Sequence, residues 1–80
     1  MDKKSIKNII EDSLAKSHVE VIDTTGGGDH FSVMVISDLF KDMNLINRHK
    51  LIYRALNQFL NKEIHALQLK TLTKEEFNNE

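Results

Sequence analysis

Ile6, Ile9, Ile10 and Leu14 recur at spacings of three and four, with Lys7, Glu11 and Asp12 between them. That period predicts an amphipathic first helix ending near Lys16. From His18 to Asp23 the pattern alternates instead, and its valine and isoleucine content favours a strand. A loop follows through Asp23-Thr24-Thr25-Gly26-Gly27-Gly28-Asp29, and His30 to Ser37 is rich enough in β-branched and aromatic residues to form a second strand, closing a hairpin. Ser37 to Leu45 is irregular, with Asp38, Asp42 and Asn44 as turn formers. Leu51, Ile52, Ala55, Leu56, Phe59 and Leu60 then trace one face of a main helix from about Asn47 to Asn61. Leu67 and Leu69 flank Gln68 in a third strand, and Thr73-Lys74-Glu75-Glu76 has the spacing of a capping box that opens a short last helix.

The resulting order is α-β-β-α-β-α, an α/β (α+β) fold with helices packed on a three-stranded mixed sheet. Second strand, main helix and third strand form a crossover, so those strands run parallel with right-handed connection. As neighbours, their entrances lie at the same end of the sheet, about 5 Å apart. His30 opens one strand and His65 precedes the other, beside the glycine-rich loop. Strict alternation puts His65 on the face of Leu67 and Leu69, and His30 on the face of Ser32, Met34 and Ile36, so convergence of the two rings requires a bent strand entrance.

Composition narrows the classes. Eighty residues, 40% of them hydrophobic, make a single domain over 1–80 with one small core. A charged content of 29% and a net charge of -1 describe an ordinary soluble domain and advertise no nucleic acid in bulk. The longest apolar run, Val33-Met34-Val35-Ile36, is far too short to span a membrane, and Met1 to Ser5 leads into no signal-peptide apolar region. The default compartment is the cytoplasm, and an organelle-matrix protein stripped of a presequence reads the same way. The absence of cysteine excludes a disulfide framework, a zinc ribbon and a thiol nucleophile together.

Taken by itself, His65 reads as a partly buried histidine completing the core beside Ile64 and Leu67. Paired with His30 it becomes a candidate metal ligand. Two imidazoles do not complete a structural zinc site, which takes four ligands. They suffice for half of a shared site, as two histidines hold one iron in Rieske clusters. Gly26-Gly27-Gly28 precedes a strand, whereas a phosphate-cradling P-loop precedes a helix, so it reads as a hairpin loop using positive φ and adaptable when a partner docks. Arg48, His49, Lys50 and Arg54 form a basic patch at the start of the main helix, either a solvated face or a phosphate contact. Ser37, Asp38 and His49 offer catalytic atom types without a nucleophile motif, and no HExxH occurs, so the chain reads as a non-enzyme. His18 is a solvent-facing residue beside Glu20.

Several segments together resemble the BolA-like family over nearly the whole chain: His30-Phe31-Ser32-Val33, Ser37-Asp38-Leu39-Phe40, Asn47-Arg48-His49-Lys50-Leu51-Ile52-Tyr53, Ile64-His65-Ala66-Leu67 and Thr71-Leu72-Thr73-Lys74-Glu75. The resemblance implies a class II KH-like fold. It also implies a non-enzymatic adaptor that pairs as a heterodimer with a monothiol CGFS glutaredoxin, sharing a 2Fe-2S cluster in iron-sulfur trafficking or iron homeostasis. The glutaredoxin cysteine and glutathione then supply sulfur, no cofactor belongs to the isolated chain, and the family's histidine of the H-A-L motif falls on His65. The second family ligand, a cysteine or histidine near the first hairpin, falls on His30, which sits in the H-F pair at the strand entrance rather than within the loop. Some relatives regulate transcription by binding DNA, which gives the alternative of a nucleic-acid-binding regulator using Arg48, Lys50 and Arg54. The G-x-x-G clamp of KH domains is missing. Asp42 stands where the family commonly has glycine, Lys74 where it has proline and Phe77 where it has tryptophan, departures that read as structural.

Overall fold

The computed structural model describes residues 1–80. Helix α1 spans Lys3–Ser13, strand β1 His18–Asp23, strand β2 His30–Ile36, helix α2 Leu45–Ala55, strand β3 Ala66–Leu72 and helix α3 Lys74–Asn78. The order is the α-β-β-α-β-α read from the sequence. Strand β2 lies in the centre, antiparallel to β1 and parallel to β3. The register pairs Val19 with Val35 and Val21 with Val33 on one side, and Phe31 with Leu67 and Val33 with Leu69 on the other. Alternation therefore turns one coherent apolar face toward the helices. Ile6, Ile10 and Leu14 of the first helical segment, Ile52 and Leu56 from α2 and its cap, and Phe40 and Ile64 from the connections complete the core over Val19, Phe31, Val33 and Val35.

Local signals start each helix. The Asp2 carboxylate accepts from Ser5 N at 2.8 Å, and the Asn44 side chain accepts from Asn47 N at 2.8 Å. Thr73 and Glu76 form the reciprocal capping box, with Glu76 N donating to Thr73 Oγ1 and Thr73 N to Glu76 Oε1.

Several boundaries differ from the sequence expectation, among them the end of β2 at Ile36 rather than Ser37 and the start of α2 at Leu45 rather than near Asn47. Helix α1 stops at Ser13, short of Lys16, because the chain leaves helical geometry at Leu14 and turns through Lys16 at φ 59°. The apolar period of the main helix runs on through Phe59 and Leu60, yet α2 ends at Ala55. Asn57–Phe59 tightens into a 3-10 turn, Asn61 takes φ 64°, and Leu60 bridges to Ile64. That turn carries the chain back toward the sheet without the helix overshooting its edge. Strand β3 is longer than Leu67–Leu69, since Ala66 to Leu72 pair with every residue of β2.

Candidate functional site

The parallel register sets His30 opposite Ala66. His65 therefore lies one position before β3, in a bend where strand alternation no longer dictates its side-chain direction. Its backbone N donates to Asp29 O at 2.8 Å, and Ala66 N reaches the same carbonyl at 3.2 Å. This bent entrance lets the rings meet despite their opposite parities. The imidazoles of His30 and His65 lie 6.2 Å apart between centroids, inclined by 42°.

Both rings are at the surface. His65 is exposed, so it does not complete the core; the neighbouring Ile64, 1% exposed, does that. His30 is half-buried, and its Nδ1 approaches Asp29 Oδ1 to 2.9 Å. The two atoms are within hydrogen-bonding distance, with the ring N–H off the ideal line to the oxygen. This contact holds the Asp29 carboxyl below the usual carboxylate range. No set of three His, Cys, Asp or Glu side chains is arranged to hold a metal ion by itself.

The adjoining loop is fastened internally. The Asp23 carboxylate accepts from Gly26 N and Gly28 N, each at 2.9 Å, and from Thr25 N at 3.3 Å. Gly26 and Gly28 adopt φ of 78° and 77°, the conformations for which the sequence supplies glycine. The expectation of adaptability thus meets a loop with a defined hydrogen-bonded form.

The basic patch divides. Arg48 is buried and committed within the protein: Nη1 and Nη2 grip Glu76, Nε donates to Met43 O at 3.0 Å, and the guanidinium lies 5.7 Å from the Phe40 ring centre. Its side chain is 10% exposed. Lys50 and Arg54 are exposed, while His49 is half-buried and edge-on to Tyr53. The catalytic atom types are likewise used structurally. Ser37 is fully buried with its Oγ accepting from Leu39 N, and Asp38 Oδ1 accepts from Lys74 N. His18 is solvent-facing, 3.7 Å from Glu20.

A sequence model of the BolA-like protein family matches residues 3–76. The chain belongs to the BolA-like family. It is 39% identical to Protein BOLA2 of Arabidopsis thaliana, across 85% of this chain and 73% of that protein. It is 36% identical to the DNA-binding transcriptional regulator BolA of Haemophilus influenzae, across 91% of this chain and 82% of the relative. A BolA protein homologue from Coxiella burnetii superposes with a TM-score of 0.76 at 34% identity, covering 98% of this chain and 97% of that one. Yeast Fra2 superposes at 0.77 with 29% identity, covering 96% of this chain and 84% of its own. These structures share the three helices and mixed three-stranded sheet. Asp42 has φ 66°, in the left-handed region that favours glycine. Lys74 is the first residue of α3, the helical position that best accepts proline.

Proposed function

We propose that this BolA-like chain is a non-enzymatic adaptor that binds a monothiol CGFS glutaredoxin and co-ligates a shared 2Fe-2S cluster through His65 and His30. The carrying observation is the pair of surface imidazoles, 6.2 Å apart, that the β2–β3 register assembles at one end of the sheet. The donor chemistry fits: neutral imidazole nitrogens serve one iron, and a chain without cysteine leaves the thiolates to the glutaredoxin and glutathione. When bound, such a cluster would supply one-electron redox chemistry and a transferable iron-sulfur unit.

The test mixes the chain with cluster-loaded glutaredoxin and follows visible absorption and circular dichroism. A new spectrum is expected with the wild type and its loss or alteration with His65→Ala. The same spectrum for both, with complex formation verified, would remove His65 as a ligand.

A second reading is nucleic-acid binding, favoured by the exposed Lys50 and Arg54 on α2 and by the DNA-binding regulator among the relatives. Because Arg48 is held by Glu76, this reading now rests on two cations rather than three. It expects affinity that falls steeply with salt. No binding to duplex or single-stranded probes at low salt sets it aside.

A further inference from the structure

His30 and His65 share one neighbour, Asp29. Its carbonyl accepts from the backbone N of His65 and of Ala66, fixing the bend from which His65 projects. Its carboxylate lies 2.9 Å from His30 Nδ1 and accepts from Thr25 Oγ1 at 3.3 Å. A side chain at Gly27 would come within 3.3 Å of the same carboxylate oxygen, so the loop closes over this group as well. His30 Nδ1 is sealed from solvent although the side chain as a whole is 42% exposed, which leaves Nε2 as the nitrogen facing outward.

Neutral imidazole carries its proton on one nitrogen and offers the other as donor, and the group beside one nitrogen decides which. A carboxylate against Nδ1 favours the proton there. Carboxylates act in this way on histidines that bind metals, fixing both tautomer and ring orientation.

We propose that Asp29 is a positioning residue for the histidine pair: its carboxylate keeps the proton of neutral His30 on Nδ1 and frees Nε2 for a metal, while its carbonyl sets the backbone of His65. The role toward a metal rests on the cluster-ligand reading above; the hold on His30 belongs to the free protein and is measured there. Asp29→Ala removes the carboxylate and retains the carbonyl, so the two functions separate.

Long-range proton–nitrogen NMR of the free chain, at a pH where the imidazoles are neutral, reads the tautomer directly. The wild type should show His30 protonated on Nδ1. Asp29→Ala should move the proton toward Nε2 while the His65 amide keeps its slow hydrogen exchange. Asp29→Asn, which preserves the shape and the Thr25 contact, should fall between them. In complex with cluster-loaded glutaredoxin, Asp29→Ala should change the visible circular dichroism and hasten cluster release by about 10- to 100-fold, the scale typical of such supporting carboxylates. A wild-type His30 protonated on Nε2, or the same tautomer in the wild type and Asp29→Ala, would overturn the proposal. So would unaltered dichroism and release in the Asp29→Ala complex. The expected tautomers with no cluster-loaded complex for the wild type would instead sink the adaptor reading and uphold the hold of Asp29 on His30.

Discussion

Arg48 and Glu76, 28 positions apart, form a two-pronged ion pair, with Nη1–Oε1 at 2.7 Å and Nη2–Oε2 at 3.3 Å. It fastens the start of α2 to α3, and Glu76 Oε1 also accepts from Thr73 N at the cap of α3. Bidentate guanidinium–carboxylate geometry is the arrangement lysine cannot reproduce. Arg48→Met should lower stability by about 2–3 kcal/mol, through the lost charged hydrogen bonds and the Met43 carbonyl left without its donor. Arg48→Lys should recover little of this. Urea unfolding measures both, and a midpoint unmoved by Arg48→Met would assign the pair no stabilising role.

Acid should weaken the same fastening. The Glu76 carboxyl is held below its ordinary range, first by the hydrogen bond from Arg48 and then by that from Thr73 N. Its folded pKa therefore lies below its unfolded one, so the unfolded chain takes up protons first as pH falls. The stabilisation is present above the unfolded pKa and is lost as pH falls through the folded value. Asp2, lowered chiefly by the Ser5 N–H, and Asp29 act in the same direction. Thermal unfolding followed against pH should show a shallower acid slope for Glu76→Gln than for the wild type. Parallel slopes would refute the assignment.

The three glycines should respond unequally to alanine. A Cβ at Gly28 meets the Met1 carbonyl oxygen at 2.9 Å in a backbone already at φ 77°, whereas one at Gly26, with φ 78°, meets nothing within 4 Å. Gly26→Ala should lose about 1 kcal/mol to backbone strain alone, and Gly28→Ala more, because the chain before α1 must also shift. Equal losses in chemical denaturation would contradict the close approach of Met1.

His65→Ala should scarcely alter the stability of the free chain, within about 0.5 kcal/mol, because the side chain is exposed. Ile64→Ala, one residue earlier and 1% exposed, should cost about 2–4 kcal/mol. A large loss for His65→Ala in thermal unfolding would return His65 to the core role that its sequence neighbours suggest.

Elements whose pattern is local were legible in the sequence. Alternation gave β1 its observed bounds, and the Thr73-to-Glu76 spacing located the start of α3. The end of α2 was not, because Phe59 and Leu60 prolong the helical period while packing through a 3-10 turn, and neither glycine nor proline marks the break. The partner of Arg48 is hidden for a related reason. Net sign groups Arg48 with Lys50 and Arg54, but its partner lies in α3, beyond the reach of local spacing. One signal was available: Arg48 stands four residues before Ile52 and eight before Leu56, on the buried stripe of α2. The sheet end shared by His30 and His65 followed from topology. The place of Asp29 is not legible in sequence because its contribution is half backbone, and a carbonyl has no signature in residue type.

The parallel register that sets His30 opposite Ala66 also determines when the imidazoles become neighbours. They meet after the crossover has closed, a long-range pairing that must overcome loop entropy before it is rewarded. In the unfolded chain these two histidines lie far apart and form no chelate. Any ligand that grips both rings at once therefore selects the native molecule, raising its melting temperature in proportion to the logarithm of ligand concentration above the dissociation constant. Shape and occupancy at this end of the sheet are thus thermodynamically linked: a partner that engages it also acts as a folding ligand.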